Sequence, residues 1–140
     1  MADIYFAGSI SGGRQYLETY QRIVEWLKEK GHNVLTEHVA RADVLKMEKQ
    51  WGERGVYERD TQMLQQCDAL VAEVTNPSLG VGYEICYALE RSKPVLCLYK
   101  KGTFVSRMIT GNTSPFITVQ SYENDDELFG KLAAFLSGLS

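Results

Sequence analysis

Residues 69–99, ALVAEVTNPSLGVGYEICYALERSKPVLCLY, hold a strand, a loop, a helix and a second strand in one unbroken run. Residues 69–72 are a short apolar run of the length a buried strand needs. Thr75, Asn76, Pro77 and Ser78 then supply turn chemistry. Val81, Ile85, Ala88 and Leu89 recur at helical spacing, and residues 94–99 form another apolar run behind Pro94. Two strands joined through a helix lie parallel, because a tight hairpin is impossible between them.

The same alternation extends in both directions. Toward the N-terminus, residues 4–7 read as a strand ending at Gly8. Tyr16, Tyr20, Ile23, Val24 and Leu27 mark a helix that Gly31 stops, and residues 33–36 form a further short strand. Residues 37–55 are irregular, with one short helix expected at Val44 and Leu45, before Val56, Met63, Leu64 and Cys67 resume a helical face. Toward the C-terminus, residues 116–119 read as a fifth strand, and Leu128, Leu132, Phe135, Leu136 and Leu139 as the stripe of a closing helix. The expected fold is a doubly wound α/β domain over residues 1–140: a five-stranded parallel sheet of flavodoxin or Rossmann-like type with helices on both faces. In such sheets ligands bind beyond the carboxyl ends of the strands, so the loops after Gly8 and after Val74 are the places for chemistry.

Composition agrees with one ordinary globular domain: 140 residues, 44% hydrophobic and 24% charged. Fifteen basic against eighteen acidic residues leave a formal charge of −3, which gives no electrostatic case for binding a nucleic acid polymer. No apolar run reaches the roughly 18 residues of a membrane span. Cys67, Cys86 and Cys97 are odd in number, show no CxxC spacing and sit in apolar stretches, so reduced core thiols and a cytoplasmic or nuclear setting are expected.

The loop Gly8-Ser9-Ile10-Ser11-Gly12-Gly13-Arg14 lies between a strand and a helix start, where free amides attract anions and Arg14 adds charge. It is neither GxxxxGK[ST] nor GxGxxG, and by itself it equally fits a glycine-rich turn without a ligand. Glu84 and Asp60 are acids placed among apolar helix positions. Glu84 could serve as a first-turn dipole device, whereas Asp60, four after Val56 and four before Leu64, has no such role. Two inward carboxylates near an anion-binding loop suggest glycosidic cleavage. Only His32 and His38 occur, without metal-ligand spacing, so no zinc site is expected. His32 reads as a solvated helix cap. His38 follows a strand and fits either a ligand contact or an idle loop position.

The segments 5–14, Leu35-Thr36-Glu37-His38-Val39, Glu58-Arg59-Asp60 with 64–68, and above all 71–84 closely resemble the 2'-deoxynucleoside 5'-monophosphate N-glycosidases, which belong with the nucleoside 2-deoxyribosyltransferases. The resemblance implies hydrolysis of a deoxynucleoside monophosphate to free base and deoxyribose 5-phosphate, without a cofactor or metal. It implies Glu84 as nucleophile at C1', Asp60 for proton transfer to the leaving base, and the Tyr5 hydroxyl as the group orienting Glu84. Taken on its own, Tyr5 would be an ordinary strand aromatic. Ser9, Arg14, Ser78 and Gly80 match the phosphate-binding region, Gly8, Gly12 and Gly13 are implied as further substrate-binding positions, and Ile10 and His38 match positions beside the base. Ser106 and Met108 match residues supplied by a partner subunit, which implies a homodimer with shared sites. Two positions depart from the pattern: Tyr57-Glu58-Arg59-Asp60 stands where His-Glu-Gln-Asp is familiar, and Ser11 where an arginine can occur. Both bear on base preference. Base exchange in place of hydrolysis, and nucleotide binding without catalysis, are the alternative readings.

Overall fold

A computed structural model describes residues 1–10 and 12–139; Ser11 and its departure from the family pattern lie outside the described residues. Five strands, β1 (Asp3–Ala7), β2 (Asn33–Val34), β3 (Ala69–Glu73), β4 (Val95–Lys100) and β5 (Ile117–Tyr122), form one sheet in the order β2-β1-β3-β4-β5. Every neighbouring pair is parallel. The chain reverses its direction of travel between β1 and β3, whose carboxyl ends therefore bound the switch-point crevice.

Because successive strand residues point to opposite faces, each strand feeds two cores. Ile4 and Phe6 of β1 join Leu96 and Leu98 of β4 beneath helices α1 (Leu17–Glu29) and α5 (Asp125–Ser137). Tyr5 and Ala7 join Leu70, Ala72, Val95 and Cys97 beneath α2 (Val44–Gln66) and α3 (Leu79–Glu90). Helices thus cover both faces, and fully buried side chains such as Phe6, Leu70, Leu96 and Leu98 contribute about 1.5–3 kcal/mol each by leaving water.

Three local expectations are corrected. Residues 37–55 are not mainly irregular: a 3₁₀ turn (Glu37–Ala40) is followed by α2, which runs on through the expected second helix with a kink at Gly52, where φ is 77°. Only Val44 and Leu64 of α2 are buried, so the segment lacks the apolar periodicity by which a helix is recognised. Cys86 is exposed on α3, while Cys67 and Cys97 are buried, and all three are free. His32 is half-buried and its Nδ1 accepts a hydrogen bond from the Ala2 amide at 3.1 Å, so it ties the N-terminus to the end of α1 rather than facing solvent as a cap. A short helix α4 (Arg107–Thr110) follows β4, and β5 extends to Tyr122 through its pairing with Lys100.

The loop after β3 is fixed from within. Glu73, fully buried, accepts from the Thr75 amide and hydroxyl at 2.7 Å each and from the Tyr122 hydroxyl. Thr75 Oγ1 in turn accepts from the Lys100 amide at 2.9 Å. A buried carboxylate is tolerable only with such partners, and these hold the chain on its path to Ser78 and α3.

Candidate active site

Beyond the ends of β1 and β3 opens a cleft of about 280 Å³ between α2 and the start of α3. Gly8 and Ile10 line it from the β1 loop, Ser78, Gly80 and Glu84 from α3, and Asp60 from α2. Two further acids, Glu48 and Glu53, complete a wall of four carboxylates, and no Lys or Arg among the described residues lines this cleft. Glu48 and Glu53 fall in the stretch that sequence reading left irregular, where no apolar pattern revealed that they face inward.

Tyr5 is 1% exposed on β1, and its hydroxyl donates to Glu84 Oε2. Strand alternation turns Tyr5 toward the α2/α3 face, and Glu84 lies one helical turn from both Val81 and Ala88, which are packed on that face. Burial pushes the Glu84 carboxyl up to about 8, and the negative charges of Asp60 and Glu48 add to the rise while the Tyr5 hydrogen bond opposes it. Asp60 is pushed up to about 6, again chiefly by burial and then by Glu48, with the Arg59 guanidinium pulling the other way. The Tyr5 phenol is held far above its ordinary value by burial and then by the Glu84 and Asp60 charges, so it keeps the proton it donates to Glu84.

The β1 loop lies against the loop before α3. Asn76 Nδ2 donates to Ser9 Oγ at 3.1 Å, to the Gly12 carbonyl at 3.2 Å and to the Gly13 carbonyl at 3.1 Å. A Cβ on Gly12 would stand 2.7 Å from the Pro77 carbonyl oxygen, and Gly13 has φ +125°, so glycine is required at both places. In the sequence an asparagine before Pro77 is sufficiently explained as a turn former, so nothing there marks Asn76 as the link between the two loops.

Arg14 does not line the cleft. Its guanidinium donates to the carbonyls of Ser9 at 2.7 Å, Val39 at 2.7 Å and Arg41 at 2.9 Å, bolting the β1 loop to the 3₁₀ turn, while its buried Nε has no partner among the described residues. Ser9 is fully buried, and its amide donates to the Tyr20 hydroxyl at 3.0 Å. Ser78 caps α3, its hydroxyl accepting from the Val81 amide at 3.3 Å. His38 is also buried; burial and the Arg59 charge push it down to about 4, so the ring is neutral at neutral pH. Its edge meets Trp51 with ring centroids 5.4 Å apart, and Arg59 stacks on that indole at 4.1 Å.

Ser106 and Met108 line neither wall of the cleft. They border a larger apolar groove of about 870 Å³ that also takes in Leu79, Phe104 and Ile109, and that shares Ser78 and Val81 with the cleft. Met108 is 80% exposed and Leu79 98%. No helix among the described residues is long and apolar enough to cross a membrane.

The profile of the nucleoside 2-deoxyribosyltransferase family matches residues 4–127. A protein of Methanosarcina mazei, provisionally named 2'-deoxynucleoside 5'-phosphate N-hydrolase 1, is 46% identical over 136 residues, covering 97% of this chain and 84% of its own. The 5-hydroxymethyl-dUMP N-hydrolase of Danio rerio is 46% identical over 128 residues, covering 89% of each chain. Among solved structures, a Clostridium botulinum CMP N-glycosidase superposes with a TM-score of 0.66 at 20% identity, covering 94% of this chain and 98% of its own, which is a likeness of fold.

Proposed function

The chain belongs to the nucleoside 2-deoxyribosyltransferase family, and from that premise we propose that it is an N-glycosyl hydrolase cleaving 2'-deoxynucleoside 5'-monophosphates to free base and 2-deoxyribose 5-phosphate. The observation that carries the reading is the hydrogen bond from the buried Tyr5 hydroxyl to Glu84, inside a cleft that also holds Asp60. A carboxylate that is to attack carbon must be ionised and aimed, and a phenol that cannot itself lose its proton favours the charged form and fixes one oxygen.

In the first step a Glu84 oxygen forms a bond to C1' as the bond from C1' to the base nitrogen breaks. The electron pair leaves with the base, and Asp60 delivers the proton that neutralises it. In the second step Asp60 takes a proton from water, whose oxygen bonds to C1' and releases the Glu84 carboxylate. With Asp60 raised to about 6 and Glu84 to about 8, the pair holds about one proton near neutral pH; these values seat it chiefly on Glu84, so attack proceeds through the one-proton form in which Asp60 carries the proton and Glu84, held by the Tyr5 hydroxyl, is charged. The three carboxylates of α2, Glu48, Glu53 and Asp60, repel a phosphate from that wall, so the phosphate belongs at the amino end of α3, at Ser78 and Gly80, facing Gly8, with Ser9, Gly12 and Gly13 behind it in the loop that Asn76 holds. Arg14 supports that region from behind through its three carbonyls. Ile10, which lines the cleft, is assigned to the base side, with His38, buried against Trp51, behind that wall and not on it. In a homodimer Ser106 and Met108 of each chain complete the partner's site, since in a single chain they border the neighbouring groove.

The test is release of free base from a panel of deoxynucleoside and ribonucleoside 5'-monophosphates and their unphosphorylated nucleosides, with a second free base present in one arm. Base and deoxyribose 5-phosphate should form in equal amounts from the deoxynucleotides, with the nucleosides turned over far more slowly because the remote phosphate positions the sugar. Equal rates with and without the phosphate would refute the assignment, and a new nucleotide as main product would convert it to transfer.

A further inference from the structure

Two large aromatic rings stand half in water at the mouth of the cleft. Tyr57 on α2 is 55% exposed and Tyr83 on α3 is 53% exposed, and both line the cleft. They meet across it edge to face, with ring centroids 6.4 Å apart and hydroxyl oxygens 3.4 Å apart. Tyr83 leans in turn on Tyr87 at 6.2 Å, and Tyr87 is sandwiched by the Arg91 guanidinium at 3.5 Å, so the ladder is braced from its far end. The placement relative to the acids is specific. Tyr57 precedes Asp60 by one helical turn on the same face, and Tyr83 immediately precedes Glu84.

We propose that Tyr57 and Tyr83 form an aromatic platform on which the leaving nucleobase stacks, holding its edge over Asp60. This rests on the reading that the cleft takes a nucleotide. The wall beside the platform carries Glu48, Glu53 and Asp60 and, among the described residues, no Lys or Arg, which disfavours the anionic end of a nucleotide and leaves its flat, neutral end as the part that fits there. Every base offers a π-face, so the platform supplies affinity and orientation while accepting more than one base. Tyr57 and Tyr83 are therefore substrate-contacting residues for the base half of the ligand, and they bind it separately from the sugar phosphate half.

The experiment is calorimetric titration of the full-length Glu84→Gln protein, which binds without turnover, with 2'-deoxyadenosine 5'-monophosphate and, separately, with 2-deoxyribose 5-phosphate. Adding Tyr57→Ala or Tyr83→Ala should weaken nucleotide binding by about tenfold or more, the usual effect of deleting a stacking ring, and leave 2-deoxyribose 5-phosphate binding unchanged. Tyr57→Phe, which keeps the ring, should retain nucleotide affinity. Because both side chains are exposed, the variants should keep the parent's circular dichroism. Unchanged nucleotide affinity in both alanine variants, or an equal loss for the two ligands, overturns the platform. Absence of nucleotide binding by the parent overturns the nucleotide reading itself, and the platform with it.

Discussion

The Tyr5 hydroxyl reaches Glu84, 79 positions later in the chain, and joins the first strand of the sheet to the third helix through a single hydrogen bond inside the cleft. Phenol and carboxylate come from elements that only the parallel sheet brings together, β1 between β2 and β3 and α3 packed on one face of the sheet. If Glu84 attacks C1', Glu84→Gln should abolish detectable turnover, by several orders of magnitude, with the fold intact. Tyr5→Phe removes the donor and keeps the ring, so it should lower kcat by about 10- to 100-fold with a smaller change in KM. A Glu84→Gln protein that keeps near-normal base release would eliminate the mechanism.

The rate should pass through a maximum in pH. Below the value of about 6 for Asp60 both carboxyls hold protons and the nucleophile is lost; above the value of about 8 for Glu84 neither holds one and the base departs unprotonated. kcat/KM measured from pH 4 to 10 should therefore fall on both sides of neutrality. A profile flat across that range contradicts a paired-carboxylate site. His38, pushed down to about 4, should add no limb between pH 5 and 8, so His38→Asn should leave the shape of the profile as it is in the wild type.

The same burial costs stability. A carboxyl whose folded pKa lies above its unfolded value binds its proton more tightly when folded, so its contribution falls as pH rises from the unfolded value near 4.5 through about 8. Each unit of such a rise corresponds to about 1.4 kcal/mol. Gln, the same shape without the charge, should escape this loss. Thermal melts of wild type and Glu84→Gln should nearly coincide at pH 5, with Glu84→Gln the more stable at pH 8.5. A gap independent of pH would show that the Glu84 charge is not confined as the geometry requires.

How far the sequence could be read follows from where burial leaves a periodic mark. Strands enclosed on both faces, such as 69–72 and 94–99, stand out as apolar runs, and α1, α3 and α5 as stripes, so the sheet and its order of elements were legible. Only the second half of α2 was, through Val56, Met63, Leu64 and Cys67; its first half was not, because the helix buries only Val44 and Leu64 and turns at Gly52. For the same reason Glu48 and Glu53 escaped notice as members of the cleft wall. Asp60 and Glu84 betrayed themselves as acids at apolar positions, whereas the partnership of Tyr5 with Glu84 came from family resemblance, since a strand tyrosine carries no mark of its contact. Arg14 shows the limit in the other direction. An arginine after glycines suggests an anion ligand, yet its donors are directed at the carbonyls of Ser9, Val39 and Arg41.

Asn76 is predicted to be as consequential as the residues it supports. One amide spans Ser9, Gly12 and Gly13, and each such bond is worth about 0.5–1.5 kcal/mol net. Asn76→Ala should lower stability by about 1–3 kcal/mol, and, if this loop cradles the phosphate as proposed, raise KM for the nucleotide more than it lowers kcat. Gly12→Ala forces a Cβ against the Pro77 backbone oxygen at 2.7 Å, which only movement of one loop can relieve. It should raise KM for the 5'-monophosphate while leaving the slow reaction of the unphosphorylated nucleoside unaffected. Equal losses with both substrates would show that the loop serves the sugar or base instead.

The final prediction concerns assembly. Ser106 caps α4 on the groove that meets the cleft at Ser78, and it lies on no wall shared with Glu84 or Asp60 within one chain. If a second copy covers that groove, each site draws Glu84 from one subunit and Ser106 from the other, and a two-fold dimer contains two composite sites. Let one inactive parent be Glu84→Gln and the other Ser106→Glu, which sets a charge against the substrate phosphate. In a mixed dimer one site collects both lesions and the other neither. Random exchange makes about half of the dimers mixed, so about one quarter of all sites become intact and activity reappears from two nearly inactive proteins. If Glu84 and Ser106 serve the same subunit's site, every site in every dimer carries a lesion. Mixing that exchanges subunits, verified by mass spectrometry of the intact dimers, yet restores no base release would reject the shared site.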